Sequence, residues 1–176
     1  KAYKKWQYGL RERTSDLLFT WMNNNKERLG FQINTQKKSS LEFASPEIQL
    51  LNRTLFGKDN VIVLFFNIRL NSYLEIIMQI NSHQNKELRK SVYNVFQHDN
   101  SELFRSTDTE KISETYTKIY THKILTSEDA LKMSSDMEVL NSIENKLEKF
   151  FTQNGEYMRI QRFIQDHMKE FLALKK

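Results

Sequence analysis

The stretch from Asp59 to Asn81 limits the fold more than any other part of the chain. It is apolar almost throughout, from Leu64, Phe65 and Phe66 to Ile76, Ile77 and Met78. The β-branched opening Val61-Ile62-Val63 is a strand signal, but the polar residues argue for a helix. Asn67, Asn71, Glu75 and Gln79 recur every four positions, which on a helix gathers them into one narrow stripe. Asp59 and Asn60 offer an N-cap. The pattern predicts a single helix over 59–81, apolar on most of its circumference. Such a helix belongs at the centre of a bundle, where each fully buried large side chain contributes about 1.5–3 kcal/mol.

The flanking segments fit a helical reading. Leu10, Leu17, Leu18, Trp21 and Met22 continue an apolar face begun by Tyr3 and Trp6, and Gly30 is a natural stop, giving a basic N-terminal helix within residues 1–30. Residues 31–45 alternate apolar and polar around Gln36-Lys37-Lys38-Ser39-Ser40. An isolated hairpin is marginal, so a clamped loop is preferred there over a small β-hairpin. Ser45-Pro46-Glu47 is a helix start, with an N-cap acceptor, Pro at N1 and an acid in the first turn. Leu88, Val92, Val95 and Phe96 mark a further helix. The box-like starts Thr107–Glu110 and Thr126–Asp129 open two more, the first carrying Ile112, Tyr116, Ile119, Tyr120 and Ile124. Met133, Met137, Leu140, Ile143, Leu147 and Phe150 form a near-heptad stripe. Asn154-Gly155 then reverses the chain into a last helix with Tyr157, Ile160, Phe163 and Ile164. The expected fold is all-α: an irregular antiparallel bundle of about six or seven helices in one domain spanning 1–176. Residues 46–126 supply its central helices and 127–176 a C-terminal helical hairpin.

Composition supports a folded chain with long elements. Four glycines and one proline in 176 residues are few for a turn-rich strand protein, and 39% hydrophobic residues are enough for a core. With no cysteine, disulfides, thiolate metal sites and thiol nucleophiles are excluded. The net charge of +5 is unevenly spread. Residues 1–60 carry eleven Lys/Arg against six Asp/Glu, whereas residues 127–176 carry eight against nine. A basic end suggests an anionic partner, either nucleic acid or a membrane surface reached through residues 1–38. The candidate contacts are Lys1, Lys4, Lys5, Arg11, Arg13, Lys37 and Lys38. Lys beside Tyr3, Trp6 and Tyr8 also suits the cytoplasmic flank of a membrane anchor. The longest unbroken apolar run, Val61–Phe66, is far short of the ~20 residues a membrane span needs. The chain is therefore expected in the cytoplasm, with any membrane attachment through a segment outside it.

Motifs for chemistry are scarce. There is no GxxxxGK, GxGxxG or GxSxG, and none of His83, His98, His122 and His167 has an i, i+4 His partner or a Glu three residues before it. No metal or cofactor is expected. One spacing stands out. Arg162-Phe163-Ile164-Gln165-Asp166-His167 resembles the Arg-x4-His signature of HEPN-type ribonucleases, small all-helical proteins of toxin and phage-defence systems. The resemblance spans six residues, and Phe163 stands where that family usually has a polar residue. It implies that Arg162 and His167 face an RNA phosphate, with His167 as general acid or base. On a regular helix the two side chains diverge by roughly 140°, and the family closes that gap across a dimer. The leading expectation is a non-enzymatic interaction or regulatory module that binds a protein partner or a second copy of itself. A small ribonuclease, or nucleic-acid binding through the basic N-terminal helix, is the alternative.

Overall fold

A computed structural model describes residues 9–55, 64–71, 74–81, 86–99, 103–104, 116–152 and 154–175. The chain is α+β. The elements are α1 (Arg11–Leu29), β1 (Gln32–Lys37), β2 (Ser40–Ala44), α2 (Pro46–Leu55), β3 (Leu64–Leu70), β4 (Leu74–Asn81), α3 (Lys86–Phe96), β5 (Tyr116–Leu125), α4 (Ser127–Lys132), α5 (Asp136–Phe151), α6 (Glu156–Asp166) and α7 (Met168–Ala173). The five strands form one antiparallel sheet in the order β1-β2-β3-β4-β5. This sheet overturns the all-α expectation, including the single helix over 59–81 and a wholly helical 46–126.

The reason lies in the spacing of the polar residues. A repeat of four is a multiple of two, so a strand also places Asn67 on one face, and Glu75 and Gln79 on one face of the next strand. The register superposes these faces: Asn67 lies opposite Ile77, Arg69 opposite Glu75, and Phe65 opposite Gln79. Leu70 pairs with Leu74, so the chain reverses between them and Asn71 belongs to the connection. The other face is purely apolar, with Leu64 opposite Ile80, Phe66 opposite Met78, and Ile68 opposite Ile76. Phe65 and Ile77, on the polar face, are also buried. Burial on both sides erases the simple alternation that identifies a strand in sequence.

The sequence of β5 carries a helical rhythm for a related reason. Its ladder with β4 slips twice: Gln79 faces Lys118 while Met78 faces Tyr120, and Glu75 faces Lys123 while Leu74 faces Leu125. Ile119 and Ile124 are thus inserted as bulge residues, and each slip advances the apolar face by one position. The buried Ile119, Tyr120, Ile124 and Leu125 thereby fall in adjacent pairs four to five residues apart, a spacing close to that of a helix. The segment 31–45 is the hairpin β1–β2 and not a loop. It is not isolated, because β2 also pairs with β3, with Leu41 opposite Ile68 and Phe43 opposite Phe66.

Several helices fall where their caps place them. Gly30 ends α1 in the left-handed region (φ 71°), and Ile48 N donates to Ser45 Oγ at the start of α2 (3.1 Å). Thr126 and Asp129 cap α4 reciprocally. Asn52 braces α2 against β3, donating from Nδ2 to Leu64 O (2.8 Å) and accepting from Leu64 N at Oδ1 (2.7 Å). The stripe proposed from Met133 to Phe150 is shifted: Met137 is exposed, and Val139, Ile143, Leu147, Phe150 and Phe151 are the buried face of α5. Residues of α1, α2, α3, α5, α6 and α7 join the apolar face of the sheet in one core. This core includes the ring cluster of Trp21, Phe31, Phe43, Phe66, Phe151 and Tyr157. Among the described residues, no helix is long and apolar enough to cross a membrane. The Thr107–Glu110 start lies outside the described residues.

Candidate functional site

The connection between α5 and α6 sits tightly on the end of α5. Asn154 has a positive φ of 70°, and a Cβ placed on Gly155 would lie 2.2 Å from Lys149 O, 2.5 Å from Phe150 O and 2.8 Å from Thr152 O. Only glycine allows this approach. It delivers Glu156, the first residue of α6, to β5. There Glu156 Oε2 accepts a hydrogen bond from the Tyr120 hydroxyl and lies 3.1 Å from His122 Nδ1. The His122 ring lies over Phe150, with centroids 5.6 Å apart.

Cations from two helices flank this cluster. Lys146 and Lys149 come from α5, and Arg159 stands one turn along α6. With Asn154, Gly155 and the strand at Lys123, whose side chain lies opposite Glu75 on the other sheet face, they line a concavity of about 530 Å³, whose only carboxylate among the described residues is Glu156. Lys146 Nζ donates to Ile124 O (2.7 Å), which holds the α5 rim against the bulged end of β5. An isolated His–Glu ion pair would raise the histidine pKa and lower that of the glutamate. Here the opposite holds. Burial, aided by the charge of Lys146, lowers His122, and burial raises Glu156 against the pull of Arg159. Desolvation outweighs the attraction, so near neutral pH His122 is neutral and lies beside Glu156 without a charge of its own. The result is a groove lined by Lys146, Lys149, Arg159, His122 and Glu156, with the buried Tyr120 hydroxyl behind Glu156.

The residues expected from sequence are distributed differently. Lys1, Lys4 and Lys5 lie outside the described residues. Arg11 Nη2 donates to Leu70 O (2.7 Å), and Arg13 pairs with Asp136 (3.1 Å), so both guanidinium groups tie α1 to the rest of the fold. Lys37 and Lys38 are exposed at the β1–β2 reversal. Lys38 and Arg11 share a concavity with the acids Glu12 and Asp16, which offset their charge.

Arg162 and His167 border the same concavity. Helix α6 ends at Asp166, and His167, at φ −105° and ψ 13°, still donates from its backbone N to Phe163 O (3.0 Å). Both residues line a concavity of about 430 Å³ with His98, Asp99, Arg159 and Asp166. His167 Nδ1 is 2.9 Å from Phe163 O, its ring stacks on Phe163, and its Nε2 is 3.9 Å from Glu170. His98 Nδ1 reaches the same carboxylate at 3.0 Å. The sheet nevertheless contradicts the all-helical fold that the HEPN resemblance implies.

Sequence reasoning missed the groove of Tyr120, His122, Lys146, Lys149, Glu156 and Arg159. The one usable signal was an acid directly after the Asn154-Gly155 turn. Comparison of the chain with family models, with curated proteins and with solved structures gave no match.

Proposed function

We propose that this protein is a non-enzymatic interaction module that binds a nucleic-acid strand in the groove between β5, α5 and α6. The observation that carries this reading is the convergence of Lys146, Lys149 and Arg159 on one concavity that holds, among the described residues, a single carboxylate. Its volume of about 530 Å³ suits a nucleotide, and a concave seat favours a strand over the flat face of a membrane. Cations on the rim meet phosphates, and the partly exposed His122 ring offers a face to a base.

Anisotropy titration of a labelled oligouridylate tests it. Three or four phosphate contacts give a slope of about −2 to −3 in log K against log salt, from roughly −0.7 per contact on a single strand. Lys149→Glu is expected to weaken binding about tenfold. Salt-insensitive binding, or a Lys149→Glu variant that binds as well as the parent, contradicts the proposal. Tighter binding to phosphatidylserine vesicles than to the oligonucleotide would make an anionic membrane the partner instead.

A second reading keeps the ribonuclease alternative, because Arg162 and His167 share a concavity with His98. Cleavage of RNA by the parent and none by His167→Ala would favour it.

A further inference from the structure

Glu156 has an unusual place in a groove built for anions. Among the described residues it is the only carboxylate in the lining, and its Oε2 accepts from the buried Tyr120 hydroxyl and lies 3.1 Å from His122 Nδ1. The groups facing it are Tyr120 and His122 from β5, Lys146 and Lys149 from α5, and Arg159 from its own helix, while Lys123 borders the groove from the strand whose side chain at that position lies opposite Glu75 on the other sheet face. An acid that merely balanced surplus lysines would be expected beside them, in water. This one is half-buried and anchored by the buried Tyr120 hydroxyl, with His122 Nδ1 3.1 Å away.

Resting on the reading of the groove as a phosphate-binding seat, we infer that Glu156 is its resident counter-anion, which an incoming phosphodiester must out-compete for the surrounding cations and donors. The groove is thereby self-limiting: its grip on a strand is weakest while Glu156 carries its charge and strengthens when that charge is removed. Burial raises the carboxyl's pKa above the usual 4.5, so its charge is lost at a less extreme acidity than that of a solvated glutamate.

The test compares the whole protein with Glu156→Gln, using labelled oligouridylate, whose phosphodiesters and bases do not change charge between pH 8 and 5. At pH 7.5 and low salt the variant is expected to bind about three- to tenfold more tightly, as removal of one like charge from the seat implies. The advantage is expected to shrink as the pH falls toward 5, because the wild type then takes up the proton that the variant mimics. His122 lies 3.1 Å from Glu156, so the comparison is repeated in a His122→Gln background to separate the two groups. Glu156→Ala, which removes the charge without adding an amide, is expected to tighten binding in the same direction, and thermal melts of all three proteins control for folding. Equal affinities of parent and both variants, with Lys149→Glu still weakening binding, overturn the inference and leave the groove reading standing. Absence of binding by all of them overturns the groove reading itself.

Discussion

Gly155 and Gly30 are required for different reasons, and the difference can be measured. Gly155 has φ −73°, which any residue adopts, but its missing Cβ leaves room for three carbonyl oxygens at 2.2–2.8 Å. Gly155→Ala is expected to cost about 3 kcal/mol in urea denaturation and to weaken oligonucleotide binding by displacing Glu156. Gly30 has open space around it and φ 71°, so Gly30→Ala carries only the left-handed penalty of about 1–2 kcal/mol, with no effect on binding. The same scale governs the response to pH. His122 has a lowered pKa, so the stability it contributes is present above its unfolded value of 6.5 and is lost as pH falls through the folded value. Glu156 has a raised pKa, so its contribution is present below 4.5 and lost as pH rises through the folded value. Denaturation at pH 7.5 and 5.5 should show His122→Gln losing less stability on acidification than the parent. A parallel fall in both proteins would show that burial of His122 is not the cause.

At the scale of elements, the junction of α2 and β3 rests on Asn52, whose side chain satisfies both backbone groups of Leu64. Asn52→Ala leaves a buried N–H and C=O without those partners and is expected to cost about 2–4 kcal/mol, whereas a loss under 1 kcal/mol would mean that water replaces them. Phe66→Ala, in the middle of the sheet's apolar face, is expected to cost about 3–5 kcal/mol. Helices with local signals were legible in the sequence: the cap at Ser45, the Thr126–Asp129 box and the Gly30 stop all depend on residues a few positions apart. The strands were not. β3 and β4 carry polar residues at a spacing that suits both periods, and the bulges at Ile119 and Ile124 give β5 a helical rhythm. The β1–β2 alternation was visible, but its stability comes from β3, more than twenty residues downstream, through pairs such as Phe43 with Phe66.

Over the whole molecule, segment charge is a poor guide to where a cationic surface forms. Residues 127–176 have one more acid than base, yet they supply Lys146, Lys149 and Arg159 to the groove. Acids of the same segment are used elsewhere: Asp129 caps α4, Asp136 holds Arg13 and Glu148 holds Arg28. The basic first third spends Arg11, Arg13 and Arg28 on such ties. The groove was hidden because its residues span 120–159 on three elements, and only the sheet, with β5 at its edge, brings His122 to Glu156. The apolar faces of α5 and α6 are buried in the core, and among the described residues the large apolar side chains left exposed, Leu50, Tyr116, Leu131, Met137 and Leu172, are scattered over α2, β5, α4, α5 and α7.

An amide-shift titration by NMR, with oligouridylate added to the isotopically labelled protein, tests the groove most directly. Saturable shifts concentrated at His122, Lys123, Lys146, Lys149, Gly155 and Arg159 are expected. Shifts centred on His98, Arg162 and His167, or none at all, would contradict the assignment of the groove as the strand-binding site.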